Sequence, residues 1–448
     1  MSTLLFKQAS LVNEGQCIIS DLLVKNGRIA KIASEIEVSN DMQVIDAKGK
    51  HLIPGMIDDQ VHFRDPGLTH KGDLTSESKA AIAGGVTSFM EMPNVSPQTT
   101  TIEALEEKYT RAAEKSFANY AFYLGATNDN LAEIKKLKPN QACGVKVFMG
   151  ASTGNMLVDD ENTLSRIFAE SPVLVATHCE DTPTIAALEQ KYREQYGENI
   201  PMYEHPNIRS AEACLTSSHL AVKLAKKHGT RLHVLHLTTA EELSQFVPAT
   251  TLEELAQKKI TAEVCVHHMY FNSDDYARLG SQIKCNPAVK EARHQQALIQ
   301  AVKDGIIDII ATDHAPHTWE EKQQNYFNAP SGLPLVQHAL QSTLEFYHKG
   351  VFDLPLIVQK TAHAPAIRYQ VKDRGFLREG YYADLVLVDL NRKQKVAKDN
   401  IFYKCAWSPF EGVEFSSTIL MTILNGEVAF DNGTHSQKSS AMRIEFDR

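Results

Sequence analysis

Two patterns of apolar residues divide the chain. Near the N-terminus, DLLVKNGRIAKIA alternates apolar and polar positions on both sides of Asn26-Gly27. That is the pattern of a β-hairpin closed by a two-residue turn. The same texture returns near the C-terminus, where ADLVLVDL (383–390) and TILMTILNGEVAF (418–430) read as strands, the second carrying another Asn-Gly at 425–426. Between these ends, short β-branched runs alternate with stretches of helical apolar spacing. The runs are MIDDQVHF (56–63), VTSFMEM (86–92), NYAFYLG (119–125), VKVFMG (145–150), VLVATH (173–178), LHVLHL (232–237), AEVCVH (262–267) and IDIIATD (307–313). The helical stretches, such as SAEACLTSSHLAVKLAKKHG, end in Gly, a common helix stop. Eight strands in βα alternation predict an α/β fold, a closed (β/α)8 TIM barrel over residues 55–365. The β-rich ends, 1–54 and 366–448, are expected to pair into one small β-sandwich domain.

The first barrel run breaks its own pattern. GMIDDQVHFRDPG (55–67) passes from apolar residues into two carboxylates, a Gln, a His and an Arg. Strand alternation would put Asp58, Gln60 and His62 on one face. A polar row there marks a strand end that opens onto something other than core.

Composition narrows the partners. The 448 residues carry a net charge of −9 and no basic patch, which argues against nucleic acid or an anionic membrane as ligand. No apolar run approaches a membrane span, and the N-terminus lacks the basic start and apolar core of a signal peptide. Seven cysteines are scattered without a CxxC pair, which implies a reduced, cytoplasmic chain.

Barrel active sites sit at the C-terminal ends of the strands. In chain order those ends bring His62 and Arg64, Met92-Pro93-Asn94, Lys146, His178, His233 and His236, His267-His268, and Asp313 followed by His314 and His317. Any one of these reads equally as a hydrogen-bonded core or loop residue. Their convergence on one mouth suits Zn²⁺ or a similar divalent ion. Asp313, at the tip of IIDIIATDHAPH, can ligate a metal or carry a proton; it can also cap a helix.

Seven ordered motifs, VHFRDPGLTHKGDL, MPN, GVKVFMG, THCED, HVLHLTT, NPAVK and TDHAPHTWEEK, resemble the cyclic amidohydrolases of the metal-dependent amidohydrolase superfamily. HFRDPG, MPN and TDHAPHTWEEK together look most like the dihydroorotase family, which interconverts N-carbamoyl-L-aspartate and L-dihydroorotate in pyrimidine biosynthesis. The resemblance implies one or two Zn²⁺ ions per chain. His62 and Asp313 would hold the first, and His178 and His236 the second. Lys146, carboxylated by CO₂, would bridge them. Asp313 would also act as general acid/base. Arg64, Asn94 and His317 would clamp the substrate carboxylate, and Asn286 and Gly332 would contact the ring. His233, His267, His268, Cys179, Arg209, Glu212 and Trp319 are expected to be structural.

One position departs from the family, which has His where this chain has Gln60. An amide oxygen is a weaker Zn²⁺ ligand than imidazole, so the expectation is a weak or absent ligand and a loosened first metal. Two alternatives follow. A hydantoinase, dihydropyrimidinase or allantoinase would not need Arg64. A non-catalytic subunit scaffolding a transcarbamoylase would tolerate Gln60. A homodimer is equally compatible with the sequence.

Overall fold

The computed structural model describes residues 3–150 and 156–448. Eight parallel strands follow the expected runs: Met56–Val61, Val86–Glu91, Asn119–Phe122 continuing as Leu124–Gly125, Val145–Phe148, Val175–His178, Leu232–Val234, Ile260–Cys265 and Ile309–Ala311. Each pairs in parallel with the next. The third is interrupted at Tyr123, whose N–H still donates to Glu91 O at 3.1 Å. The ring closes where the His62 N–H donates to His314 O at 2.7 Å, beside a parallel bridge from Val61 to His314. This is the (β/α)8 barrel the alternation predicts.

The helices between strands show why the sequence folds this way. Ala211–His228 starts at Ser210, whose side chain accepts from the Ala213 N–H, and ends in Lys226, Lys227 and His228 before Gly229 at φ 70°. A capping hydroxyl and a basic last turn complement the helix dipole. Its buried residues, among them Cys214, Ser217, Ser218, Ala221, Val222 and Ala225, recur every three or four positions and form the stripe that packs on the barrel.

Both chain ends build one nine-stranded sheet. The N-terminal strand His51–Pro54 pairs antiparallel with Leu385–Asp389, and this junction joins the ends. Leu4, Phe6, Leu22, Leu52, Leu385 and Ile423 share its core. Both Asn-Gly turns form with positive φ at Asn26, Gly27, Asn425 and Gly426, the conformation a type I′ hairpin turn requires. They also pack on each other: a Cβ on Gly426 would lie 2.5 Å from Gly27 Cα. The last residues leave this sheet. The Ile444 N–H donates to Tyr120 O at 2.9 Å, and Ile444 and Phe446 pack with Tyr123 and Tyr369 at the strand-start side of the barrel.

Candidate active site

The first strand does not keep its alternation. Its register against the second strand shifts between Asp58 and Val61, as an extra bulge residue does. The expectation that Asp58, Gln60 and His62 share a face is therefore corrected. The Asp58 carboxylate accepts from the Thr312 hydroxyl at 2.6 Å and the Thr312 N–H at 3.2 Å. Asp59 faces His233 Nε2 at 3.2 Å. Gln60 and His62 both reach Asp313.

A second break of alternation lies on the sixth strand. Strand alternation would put His233 and His236, three residues apart, on opposite faces. His233 instead lies between Asp59 and Glu263, and His236 lines the cleft. The reason is a left-handed backbone at His236, φ 39°. Arg64 (φ 71°) and Asp313 (φ 51°) adopt the same uncommon region. Such backbone costs about 1–3 kcal/mol per residue and concentrates at functional sites.

One cleft at the barrel mouth is lined by Gln60, His62, Arg64, Asn94, Lys146, Phe148, His178, His236, Asn286, Asp313, Ala315, Ser331 and Gly332. His317 is the one sequence-derived candidate not among them. It is buried behind Arg64, its Nε2 3.0 Å from the Arg64 guanidinium and 3.1 Å from Ser331 O. Lys71 donates to its Nδ1 at 3.0 Å.

The donors of the cleft fall into two groups. His178 Nδ1 and His236 Nε2 face each other at 3.0 Å. The other nitrogen of His178 is 3.0 Å from Glu180 Oε2, which also accepts from Arg209 at 2.8 Å. Burial holds both imidazoles below their ordinary pKa, His236 far below, so both are in the neutral, ligating form. In the second group, His62 has Asn94 Oδ1 at 2.7 Å from Nδ1 and Asp313 Oδ1 at 3.0 Å from Nε2. Burial also lowers the His62 pKa, and a neutral ring has one N–H for two oxygen neighbours. A cation shared by Nε2 and Oδ1 would resolve that conflict. Burial raises the pKa of Asp313, but the His62 hydrogen bond and nearby positive charge outweigh it and keep the carboxyl below its usual range.

Lys146 lies between the groups. Among the described residues no hydrogen bond or ion pair reaches its buried ammonium, which lies 4.7 Å from the centre of the Phe148 ring. Burial lowers its pKa to about 8. An amine so readily neutral is a nucleophile for CO₂, and the resulting carbamate would supply oxygen ligands. The nitrogen and oxygen donors therefore fit a Zn²⁺-type ion or pair of ions.

Arg64 is buried, its Nε donates to Pro316 O at 3.1 Å, and no carboxylate pairs with it among the described residues. Burial lowers its pKa to about 10, which leaves it a cation at neutral pH. Buried charges are normally paired, so this guanidinium calls for an anion in the cleft. The Asn286 amide lies against Ser331 Oγ at 3.1 Å; with its carbonyl turned to Arg209 Nη2, 3.1 Å away, its NH₂ also donates to Cys285 O at 3.0 Å. Gly332 contributes space rather than hydrogen bonds. Its N–H donates to Lys284 O and its carbonyl accepts from Lys322, both at 2.9 Å, and a Cβ there would lie 2.5 Å from Ala315 O.

Sequence reasoning overlooked several residues that shape the cleft. Glu180 sits in THCED, two residues after His178, and Glu263 is a lone carboxylate in the apolar strand ITAEVC. Glu263 Oε1 accepts the His236 N–H at 3.1 Å. A charged residue inside an apolar run was the available signal for Glu263, and a carboxylate two residues after a strand-end His was the signal for Glu180. Of the residues expected to be structural, Cys179 donates its thiol to Thr177 and burial pushes its pKa up to about 12. Trp319 is partly exposed and packs on Trp407.

Residues 51–429 match the Amidohydrolase family. The chain is 32% identical to a dihydroorotase of Methanosarcina acetivorans over 406 residues, covering 88% of this chain and 85% of the relative. It is also 32% identical to a dihydroorotase of Bacillus cytotoxicus, covering 98% and 99%. Among solved structures, an L-hydantoinase (dihydropyrimidinase) from Arthrobacter aurescens superposes with a TM-score of 0.92 at 26% identity, covering 99% of this chain and all of that one. A dihydropyrimidinase from Brevibacillus agri shares the fold with a TM-score of 0.88 at 22% identity, each chain fully covered.

Proposed function

The chain belongs to the amidohydrolase family, and we propose that within it the protein acts as a dihydroorotase, hydrolysing the ring amide of L-dihydroorotate reversibly to N-carbamoyl-L-aspartate. The observation that carries the substrate is Arg64, a buried cation at the cleft with no carboxylate partner of its own among the described residues. The α-carboxylate of dihydroorotate would complete it through a planar two-point contact. Hydantoins and dihydropyrimidines lack that group, which separates this reading from the one their structural likeness favours.

The catalytic unit is assigned to residues 55–365 and the side domain to 1–54 with 366–448. His62, Asp313, His178 and His236 would hold one or two Zn²⁺ ions, bridged by carboxylated Lys146. Bound metal would supply Lewis acidity toward water and the scissile carbonyl. Asp313 takes the proton from the attacking water and delivers it to the departing ring nitrogen; its lowered pKa keeps it ready to accept. Asn94 holds the His62 ring by accepting from Nδ1. Glu180 fixes the His178 tautomer, so that Nδ1 keeps its lone pair. Arg64 orients the substrate, and His317 positions Arg64 from behind.

Gln60 is assigned a hydrogen-bonding role instead of ligation. Its amide donates to Asp313 Oδ1 at 3.0 Å, while its oxygen faces the Cys265 thiol at 3.8 Å. Pyrimidine biosynthesis places the enzyme in the cytoplasm, and all seven cysteines are unpaired. Among the described residues no helix is long and apolar enough to cross a membrane. A homodimer or a transcarbamoylase partner fits the same reading.

The test is hydrolysis of L-dihydroorotate by chelator-stripped protein titrated with Zn²⁺, beside Gln60→His. Activity that appears with metal, and at lower metal concentration in the variant, is expected. Turnover by the variant alone would mean a non-catalytic subunit. Turnover by neither would move the substrate to hydantoins or dihydropyrimidines.

A further inference from the structure

Beside the cleft, the seventh strand ends in a compact group of donors that the reaction does not use. Strand Ile260–Cys265 runs directly into helix Val266–Tyr270. The reversal from strand to helix folds Cys265, His267 and His268 together. Each offers a ligand atom, and these atoms all lie within 4.8 Å of one another. The three side chains are almost fully buried, at 0%, 0% and 2% exposure.

Their hydrogen bonding is incomplete in a specific way. Neither ring nitrogen of His267 has a hydrogen-bond partner, and neither does His268 Nδ1. The Thr312 backbone lies beside His267 and partly offsets the effect of burial on its pKa. His268 donates Nε2–H to Pro287 O at 3.0 Å, which fixes its tautomer and leaves a lone pair on Nδ1. A carbonyl holding the far nitrogen of an imidazole is the usual support of a metal-ligating histidine. Burial drives the His267 pKa down to about 4 and that of His268 well below normal, so neither ring is charged. The Cys265 thiol donates to Glu263 Oε1 at 3.4 Å and to Gln60 Oε1 at 3.8 Å. Buried polar atoms without partners are uncommon and call for an explanation such as a bound ion.

We propose that Cys265, His267 and His268 form a further metal site, distinct from the cleft ligands, for a borderline divalent cation of the Zn²⁺ class. One thiolate and two neutral imidazoles match the donor preference of that ion and disfavour Mg²⁺ or Ca²⁺. The Glu263 and Gln60 oxygens lie beside the sulfur, at 3.4 and 3.8 Å. Binding replaces the thiol proton, which passes to solvent; nothing is oxidised or reduced. The site does not depend on which cyclic amide the cleft takes. It does give Gln60 two faces, an oxygen toward this site and an N–H toward Asp313.

The chemistry of sulfur makes the test specific. No cleft ligand carries sulfur, so cobalt bound there gives no thiolate-to-metal charge-transfer band. Chelator-stripped full-length protein is loaded with Co²⁺ and its near-ultraviolet absorption recorded. A thiolate band is expected in the wild type and in His178→Ala, and is expected to vanish in Cys265→Ser and fall in His267→Ala. Bound zinc, counted by mass spectrometry, should drop by roughly one ion per chain in Cys265→Ser. A Co²⁺-saturated wild type with no such band overturns the proposal whether or not the variants fold. So does a band that survives Cys265→Ser.

Discussion

On one side of the cleft, a carboxylate holds the His178 ring from behind and another holds the His236 backbone. Glu180 takes one ring nitrogen of His178 and is itself anchored by Arg209; Glu263 takes the backbone N–H of His236. On the other side, His62 and Gln60 both turn to a single oxygen of Asp313, and only an amide, Asn94, stands behind His62. The first pair is fixed at the His178 ring and at the His236 backbone before any ion arrives. The second converges two possible donors on one acceptor, and metal would have to displace the Gln60 contact. Preorganisation of the supporting residues sets affinity as much as the ligands themselves. The difference teaches that the amide at position 60 sets what Asp313 is hydrogen-bonded to, not only how many ligands are present.

The comparison breaks most sharply at Asp313. Asp313→Asn keeps the shape but cannot accept the proton, and kcat for L-dihydroorotate should fall about 10²–10⁴-fold, read in steady-state assays at saturating metal. A fall below tenfold would remove it from proton transfer. Arg64→Lys, on the same side, replaces a planar fork by a point charge. It should raise KM for L-dihydroorotate roughly 10–100-fold, the equivalent of losing a charged hydrogen bond, while leaving any dihydrouracil turnover untouched. Equal loss on both substrates would deny the carboxylate contact.

The side held by carboxylates is tested through Glu180. Glu180→Gln should weaken zinc binding about 10–100-fold, measured by competition with a chelating dye; unchanged affinity would mean the two sides are equally supported. The smallest effect concerns Lys146, between them. Only the neutral amine reacts with CO₂, and with a pKa lowered to about 8 it is mostly protonated below that pH. At fixed dissolved CO₂, recovery of activity in CO₂-depleted protein should therefore speed up roughly fivefold from pH 7 to pH 8 and level off above. Recovery that keeps accelerating toward pH 10 would place the pKa at its ordinary value.

Much of the fold was legible because its signals are local. Period-two runs, helical stripes ending in Gly and two Asn-Gly turns each act over a few residues, and each gave the element expected of it. The barrel followed from the count of strands. Candidate site residues were legible for a topological reason: strand ends must share one rim once the sheet closes. The alternation rule failed where the backbone leaves ideal geometry, at the bulge between Asp58 and Val61 and at the left-handed His236. Those departures put Asp59 and His233 into the barrel interior and hid the role of Glu263.

By itself, the sequence determined which residue types arrive at the mouth, because their positions at strand ends are a property of spacing. It also determined that the sixtieth residue is an amide. Only the tertiary structure decided what that amide does, that Arg64 has no carboxylate partner among the described residues, and that Lys146 is buried without an ion pair. These are relations between atoms of strands far apart in the chain. They depend on barrel closure, on burial and on which oxygen lies within three ångströms of which nitrogen, and no pattern along a single strand carries them.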